Sequence, residues 1–171
     1  MRHRSFRRLT PALAIVLAGC AGTQLPPYGI REGELPPCAD HRTCLSSHAD
    51  EHEASRVDYL EYSQARREAR STLAAIVQGF PGARVVSSHR NYLRVEFTGT
   101  VARDGEDFFF EPQSVVDEVE FYFPPQRSII HVRAAARAGP IDKAGARDRF
   151  AALQVLIEEY QERRGHSSLR L

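Results

Sequence analysis

The stretch Asp117-Glu118-Val119-Glu120-Phe121-Tyr122-Phe123-Pro124-Pro125-Gln126-Arg127-Ser128-Ile129-Ile130-His131-Val132-Arg133-Ala134 decides the fold. Val119, Phe121 and Phe123 alternate with Glu118, Glu120 and Tyr122, and Ile130, Val132 and Ala134 alternate with Ile129, His131 and Arg133. A period of two places one set on each side of a strand. Pro124-Pro125-Gln126-Arg127 interrupts the pattern, so the economical reading is an antiparallel hairpin with one apolar and one polar side. If Phe123 pairs with Ser128 across that turn, Glu120 faces His131 and Glu118 faces Arg133.

The same period recurs upstream. Leu93, Val95 and Phe97 alternate with Tyr92, Arg94 and Glu96, and His89-Arg90-Asn91 can turn the chain back onto the run from Ala83 to Ser88. Spacings of three and four flank the strands. Ala69, Leu73, Ile76, Val77 and Phe80 form one stripe between Ser63 and Phe80, and Ala146, Phe150, Leu153, Ile157 and Tyr160 form another after Asp142. Ser63 and Asp142 are the expected N-caps. Stripes and one-sided strands bury their apolar atoms together if both helices lie on one face of the sheet. The expected fold is α+β: a four-stranded antiparallel sheet of two hairpins, with an N-terminal and a C-terminal helix packed on one face. Phe108-Phe109-Phe110, between the hairpins, is expected in an ordered loop or short extra strand, because three phenylalanines left in water form an apolar patch.

The opposite sheet face gathers Arg94, Glu96, Glu118, Glu120, His131 and Arg133, with Arg137 at the strand end. These are the candidate ligand-binding residues. A carboxylate beside an imidazole can exchange a proton, and arginines bind anions. The competing reading is that opposite charges on facing strands set register, at roughly 0.2–1 kcal/mol per pair. No serine-histidine-acid order, phosphate loop or metalloprotease helix motif occurs, so no catalytic residue is assigned and no cofactor is expected.

The N-terminus addresses location. Arg2, His3, Arg4, Arg7 and Arg8 precede the apolar run Leu9 to Leu17, which ends in Leu17-Ala18-Gly19-Cys20. That is a positive n-region, a short h-region containing Pro11 and a small-residue cleavage site, too short to span a bilayer. The ending resembles the bacterial lipobox, which implies cleavage before Cys20 and lipid on its thiol; two or more acyl chains make such an anchor stable. The expected organisation is a signal peptide over 1–19, the lipidated Cys20 with a Pro/Gly tether over 20–37, one α+β domain over 38–164 and a tail over 165–171. Losing the four arginines of the signal from 23 Lys+Arg, against 22 Asp+Glu, moves the formal charge from +1 to −3 and leaves no nucleic-acid footprint.

These features place the protein on the bacterial cell envelope, facing the periplasm, with Ala21 after the cysteine pointing to the outer rather than the inner membrane. Its partners are then the membrane, through lipid on Cys20, and an envelope protein or small ligand. The reading is a non-catalytic binding or interaction module. The alternative is an envelope enzyme or small-anion-binding protein using Glu120, His131, Arg133 and Arg137.

Cys38 and Cys44 are the thiols besides Cys20, and an oxidising compartment favours a disulfide between them. A zinc cluster of Cys38, His41, Cys44, His48 and His52 is the alternative; its spacing matches no standard zinc motif, so no metal is expected.

The segment Cys38-Ala39-Asp40-His41-Arg42-Thr43-Cys44-Leu45-Ser46-Ser47, the stretch Tyr92 to Phe97, the acidic strand Asp117 to Phe121 and the run Arg133-Ala134-Ala135-Ala136-Arg137-Ala138-Gly139 occur in a characteristic order. Together they resemble the bacterial and plastid domain-of-unknown-function family numbered fourteen ninety-nine, from about Cys38 to Tyr160. Asp142, Arg147 and Arg149 match its pattern, whereas Ala134, Ala136 and Ala146 stand where the family usually has two serines and an asparagine. The resemblance bears on the fold and implies no activity.

Overall fold

A computed structural model describes residues 28–40, 42–50, 53–101, 113–137 and 141–168. The expectations for the signal peptide, Cys20, His41, His52 and Phe108 to Phe110 lie outside the described residues.

In chain order the elements are β1 (Cys44–Ser46), β2 (Leu60–Glu61), α1 (Arg66–Val77), β3 (Ala83–His89), β4 (Tyr92–Val101), β5 (Gln113–Tyr122), β6 (Ile129–Ala136) and α2 (Lys143–Ser168). The fold is α+β, with two helices and an antiparallel sheet in the order β1-β6-β5-β4-β3, β2 pairing with a second stretch of β6. The expected four strands become six. Cys44–Ser46 pairs with Arg133 to Ala135, and Leu60–Glu61 with Ile129 and Ile130, along the edge that β6 would otherwise leave open. Strands of two and three residues carry too few positions for a period to show.

Apolar residues alternate into one core, as the period-two reading requires. Leu93, Val95 and Phe97 of β4, Val119 and Phe121 of β5, Ile130, Val132 and Ala134 of β6 and Leu45 of β1 meet Leu73 and Val77 of α1 and Phe150, Leu153 and Ile157 of α2. Helix α1 buries Ala69, Thr72, Leu73 and Val77, a single stripe. It starts later than expected. Ala65 occupies the cap position without a side-chain cap hydrogen bond, because Ser63 is engaged elsewhere, donating its backbone N–H (2.9 Å) and its hydroxyl to Gln161 Oε1 of α2. Asp142 does cap α2, accepting from the Gly145 N–H at 3.0 Å. Helix α2 continues past Arg164 into the expected tail.

Between α1 and β3 the chain turns at Gly82, whose φ of +72° puts it in the left-handed region; a Cβ there would lie 2.0 Å from the Thr98 carbonyl oxygen. The Thr98 N–H donates to the Gly82 carbonyl at 3.0 Å and starts the β3–β4 pairing.

The β5–β6 register is two residues away from expectation. Glu120 faces Arg133, Glu118 faces Ala135 and Tyr122 faces His131. The presumed closing pair is engaged elsewhere: the Phe123 N–H donates to the Asn91 carbonyl at 2.9 Å, and the Ser128 carbonyl accepts from the Tyr62 N–H at 3.2 Å. A shift of two keeps every side chain on its face and changes only its neighbours.

Part of the expected tether is built into the domain. Arg31 and Glu34 bridge around a turn at Glu32-Gly33, both with positive φ, and Leu35 is buried with Tyr92 and Tyr122, Ile30 packing alongside. Residues 28–37 thus form a strap over the polar sheet face, where a proline- and glycine-rich composition alone suggests only solvated chain.

Candidate functional site

The polar face is a set of cross-strand rows. One row runs Arg84, Glu96, Glu118, Ala135 and Cys44; the next runs Ser87, Arg94, Glu120, Arg133 and Ser46; the last holds His89, Tyr92, Tyr122 and His131. Register therefore brings together Arg94, Glu96, Glu118, Glu120 and Arg133, and Arg137 joins them. Its backbone N–H donates to the Val116 carbonyl at 2.9 Å, fixing it at the end of β6.

Glu120 is fully buried, and both its oxygens are occupied. Oε1 accepts from the Tyr92 hydroxyl at 2.6 Å and from the Gly29 N–H of the strap at 2.6 Å, and Oε2 from Arg133 at 2.7 Å. Arg133 is itself 2% exposed. Burial, reinforced by the Glu120 carboxylate, pushes the Tyr92 phenol well above its ordinary range, so it remains a donor. The strap supplies the third donor of a charged pair that would be costly to bury half-satisfied.

Glu96 and Glu118 stand directly opposite each other, a repulsive arrangement in isolation. Arg137 resolves it by bonding to both carboxylates. Arg84 adds a bond to Glu96, and Arg94 lies 3.8 Å from Glu118 with Tyr28 of the strap stacked on its guanidinium at 4.7 Å. Although burial pushes the Glu96 carboxyl up, bonds from Arg137 and Arg84 hold it below the usual range. Both carboxylates are buried beneath guanidiniums, and those of Arg84 and Arg137 are exposed. The face presents cations outward.

His131 shares this face but not this network. Its Nδ1 lies 3.1 Å from Ser47 Oγ, which also accepts from the Val132 N–H at 3.0 Å. Its ring stacks on His48 with centroids 3.9 Å apart. Burial, with His48, Arg127 and Arg56 nearby, lowers its pKa to about 4, and burial lowers that of His48 as well. The expected Glu120–His131 neighbour pair is not formed, for the register reason given above.

Cys38 and Cys44 are joined in a disulfide, with Cα atoms 5.6 Å apart. That removes both thiolates from the zinc alternative, and His48 stacks on His131; among the described residues no group of three or more potential ligands could hold a metal.

A broad concavity lies elsewhere. A groove of about 880 Å³ opens between β2 and α2, with Tyr59, Leu60, Arg147, Phe150, Gln154 and Glu158 among its walls. Arg147 donates to the carbonyls of Ala54 (2.7 Å) and Arg56 (3.2 Å), tying the 53–57 loop to α2. None of the expected site residues lines this groove. Sequence reading also misses an ion pair on the core side: Asp117 and Arg149 are 3.9 Å apart, with Arg149 stacked 4.2 Å above Phe97. Burial raises the Asp117 carboxyl and lowers the Arg149 guanidinium. A legible signal for it was an acid at the parity of Val115, Val119 and Phe121 in β5. The strap had its own signal in Tyr28, Ile30 and Leu35, apolar side chains within proline-rich sequence.

No helix of the described residues is long and apolar enough to cross a membrane. No curated protein and no solved structure matches the chain. One family model does match, that of a protein of unknown function, DUF1499, over residues 34–155, which takes in the disulfide loop, all six strands, α1 and the first half of α2. The chain belongs to the DUF1499 family.

Proposed function

We propose that the protein is a membrane-tethered envelope lipoprotein acting as a non-catalytic binding module, with the groove between β2 and α2 as its recognition surface. The observation that carries this reading is that the carboxylates of the polar face are already consumed. Glu120 accepts three hydrogen bonds under the strap, and Glu96 and Glu118 are bonded to Arg84 and Arg137. General acid–base work needs a group free to exchange a proton near neutral pH. The β2–α2 groove sets Val57, Tyr59, Leu60 and Phe150 beside Arg56, Asp58, Glu61, Arg147 and Glu158, the mixture of apolar and polar groups that protein-recognition surfaces carry. In this reading, a lipid on Cys20 holds the domain at the outer membrane, and an envelope protein is the partner.

Photo-cross-linking tests it. A photoreactive residue at exposed Glu158, on the groove, is expected to yield a defined protein adduct in intact cells, whereas one at Arg84, on the polar face, yields none. An adduct from Arg84 alone would replace this reading with the alternative of a ligand site on the polar face.

A further inference from the structure

We infer that a second groove, lined by Arg66, Arg67 and Arg70 of α1 and by Arg90 and Asn91 of the β3–β4 turn, is a binding site for a phosphate-class oxyanion. The groove measures about 780 Å³, and no carboxylate lines it. Eight guanidiniums elsewhere, those of Arg42, Arg84, Arg94, Arg133, Arg137, Arg149, Arg163 and Arg164, each lie within 4.0 Å of a carboxylate, while Arg56 and Arg147 donate to backbone carbonyls and Arg127 stacks on Tyr59. Among the described residues, none of the four groove arginines has such a partner. Four like charges in one concavity repel one another, and a multiply charged anion relieves that repulsion.

Two further observations concern individual arginines. Arg70 is positioned by a 2.7 Å bond from its guanidinium to Ser88 Oγ, while its Nε is buried with no hydrogen-bond partner. Arg90 has a φ of +49°, a left-handed position in a tight hairpin turn that favours glycine, asparagine or aspartate. Arginine there is unfavourable for the backbone, and the groove supplies a use for its charge.

The lining identifies the ligand class. Guanidinium forks match the oxygen pairs of phosphate, and four of them exceed what a lone carboxylate can engage. No aromatic side chain lines the groove to stack a base, and no aliphatic one to hold a peptide side chain. The phosphate can belong to a phospholipid headgroup or be free in solution. The site does not depend on whether Cys20 is acylated.

The test uses the full chain carrying Cys20→Ser, so that no acyl anchor contributes, with and without Arg67→Gln plus Arg90→Gly. Glycine at position 90 relieves the backbone, so the variant keeps or raises its denaturation midpoint while losing two charges. Vesicles of phosphatidylglycerol with phosphatidylcholine are compared with phosphatidylcholine alone, and inorganic phosphate is titrated calorimetrically, all at low ionic strength. For a headgroup site, partitioning to phosphatidylglycerol falls about tenfold or more in the variant, while weak binding to phosphatidylcholine is unchanged. Binding of inorganic phosphate that is lost in the variant, without a difference on vesicles, assigns the site to a soluble anion. Equal behaviour of the two proteins in both arms overturns the proposal.

Discussion

An arginine–glutamate contact in water contributes little, whereas the same contact under cover becomes something the fold cannot do without. Arg84 and Arg133 illustrate the difference on one sheet face. The Arg84 side chain is 67% exposed and that of Arg133 2%. Arg84→Ala should cost about 1 kcal/mol or less. Arg133→Ala leaves Glu120 buried with its Oε2 unpaired and should cost roughly 3–5 kcal/mol, read as a fall in the denaturant midpoint without a change in slope. The cross-strand estimate made for exposed charges therefore does not apply to Glu120 with Arg133. His131 gives a second prediction at this scale. Its folded pKa of about 4 lies below the ordinary 6.5, so below pH 6.5 the unfolded chain binds a proton that the folded one refuses. Stability is expected to fall as pH drops from about 6.5 to about 4, His48 acting in the same direction. In His131→Gln, denaturation midpoints measured across that range should give a flatter slope; an unchanged slope would remove His131 as the cause.

At the scale of elements, the strap formed by residues 28–37 is the thinnest layer of the fold. It is held by the Leu35, Tyr92 and Tyr122 contact, by the Gly29 bond to Glu120 and by Tyr28 on Arg94. Few contacts mean a low free energy of local opening. Leu35→Ala should speed hydrogen exchange at the Gly29 amide far more than at Val95 in the middle of β4, because only the strap is released; equal acceleration at both would mean that strap and sheet open together. The disulfide anchors the chain between strap and sheet, joining Cys38 to Cys44 in β1. It closes a loop of sequence separation 6, so reduction is expected to cost about 2 kcal/mol, measured by denaturation with and without reductant.

At the scale of the whole molecule, a lipid on Cys20 would hold the strap end of the domain near a membrane. A fatty-acid label should enter the wild-type protein and be lost in Cys20→Ser; equal labelling of both would refute that anchor. The sequence by itself determined the class of the fold and the sidedness of its sheet. Glu118, Glu120, His131 and Arg133 share a face in any register reached by an even shift, since side chains alternate with a period of two. It likewise determined the buried stripes of the helices, which are local in the chain, and favoured a disulfide between Cys38 and Cys44 over a zinc cluster, a choice that the structure then decided. Only the tertiary structure decided that Glu120 meets Arg133 rather than His131, that β1 and β2 complete the edge of β6, and that the strap covers the Glu120–Arg133 pair. Those outcomes rest on bonds between residues far apart in sequence, such as Gly29 to Glu120, Phe123 to Asn91 and Tyr62 to Ser128. Periodicity reports which side of an element a residue faces, whereas partner and depth are set by whatever the rest of the chain packs against it.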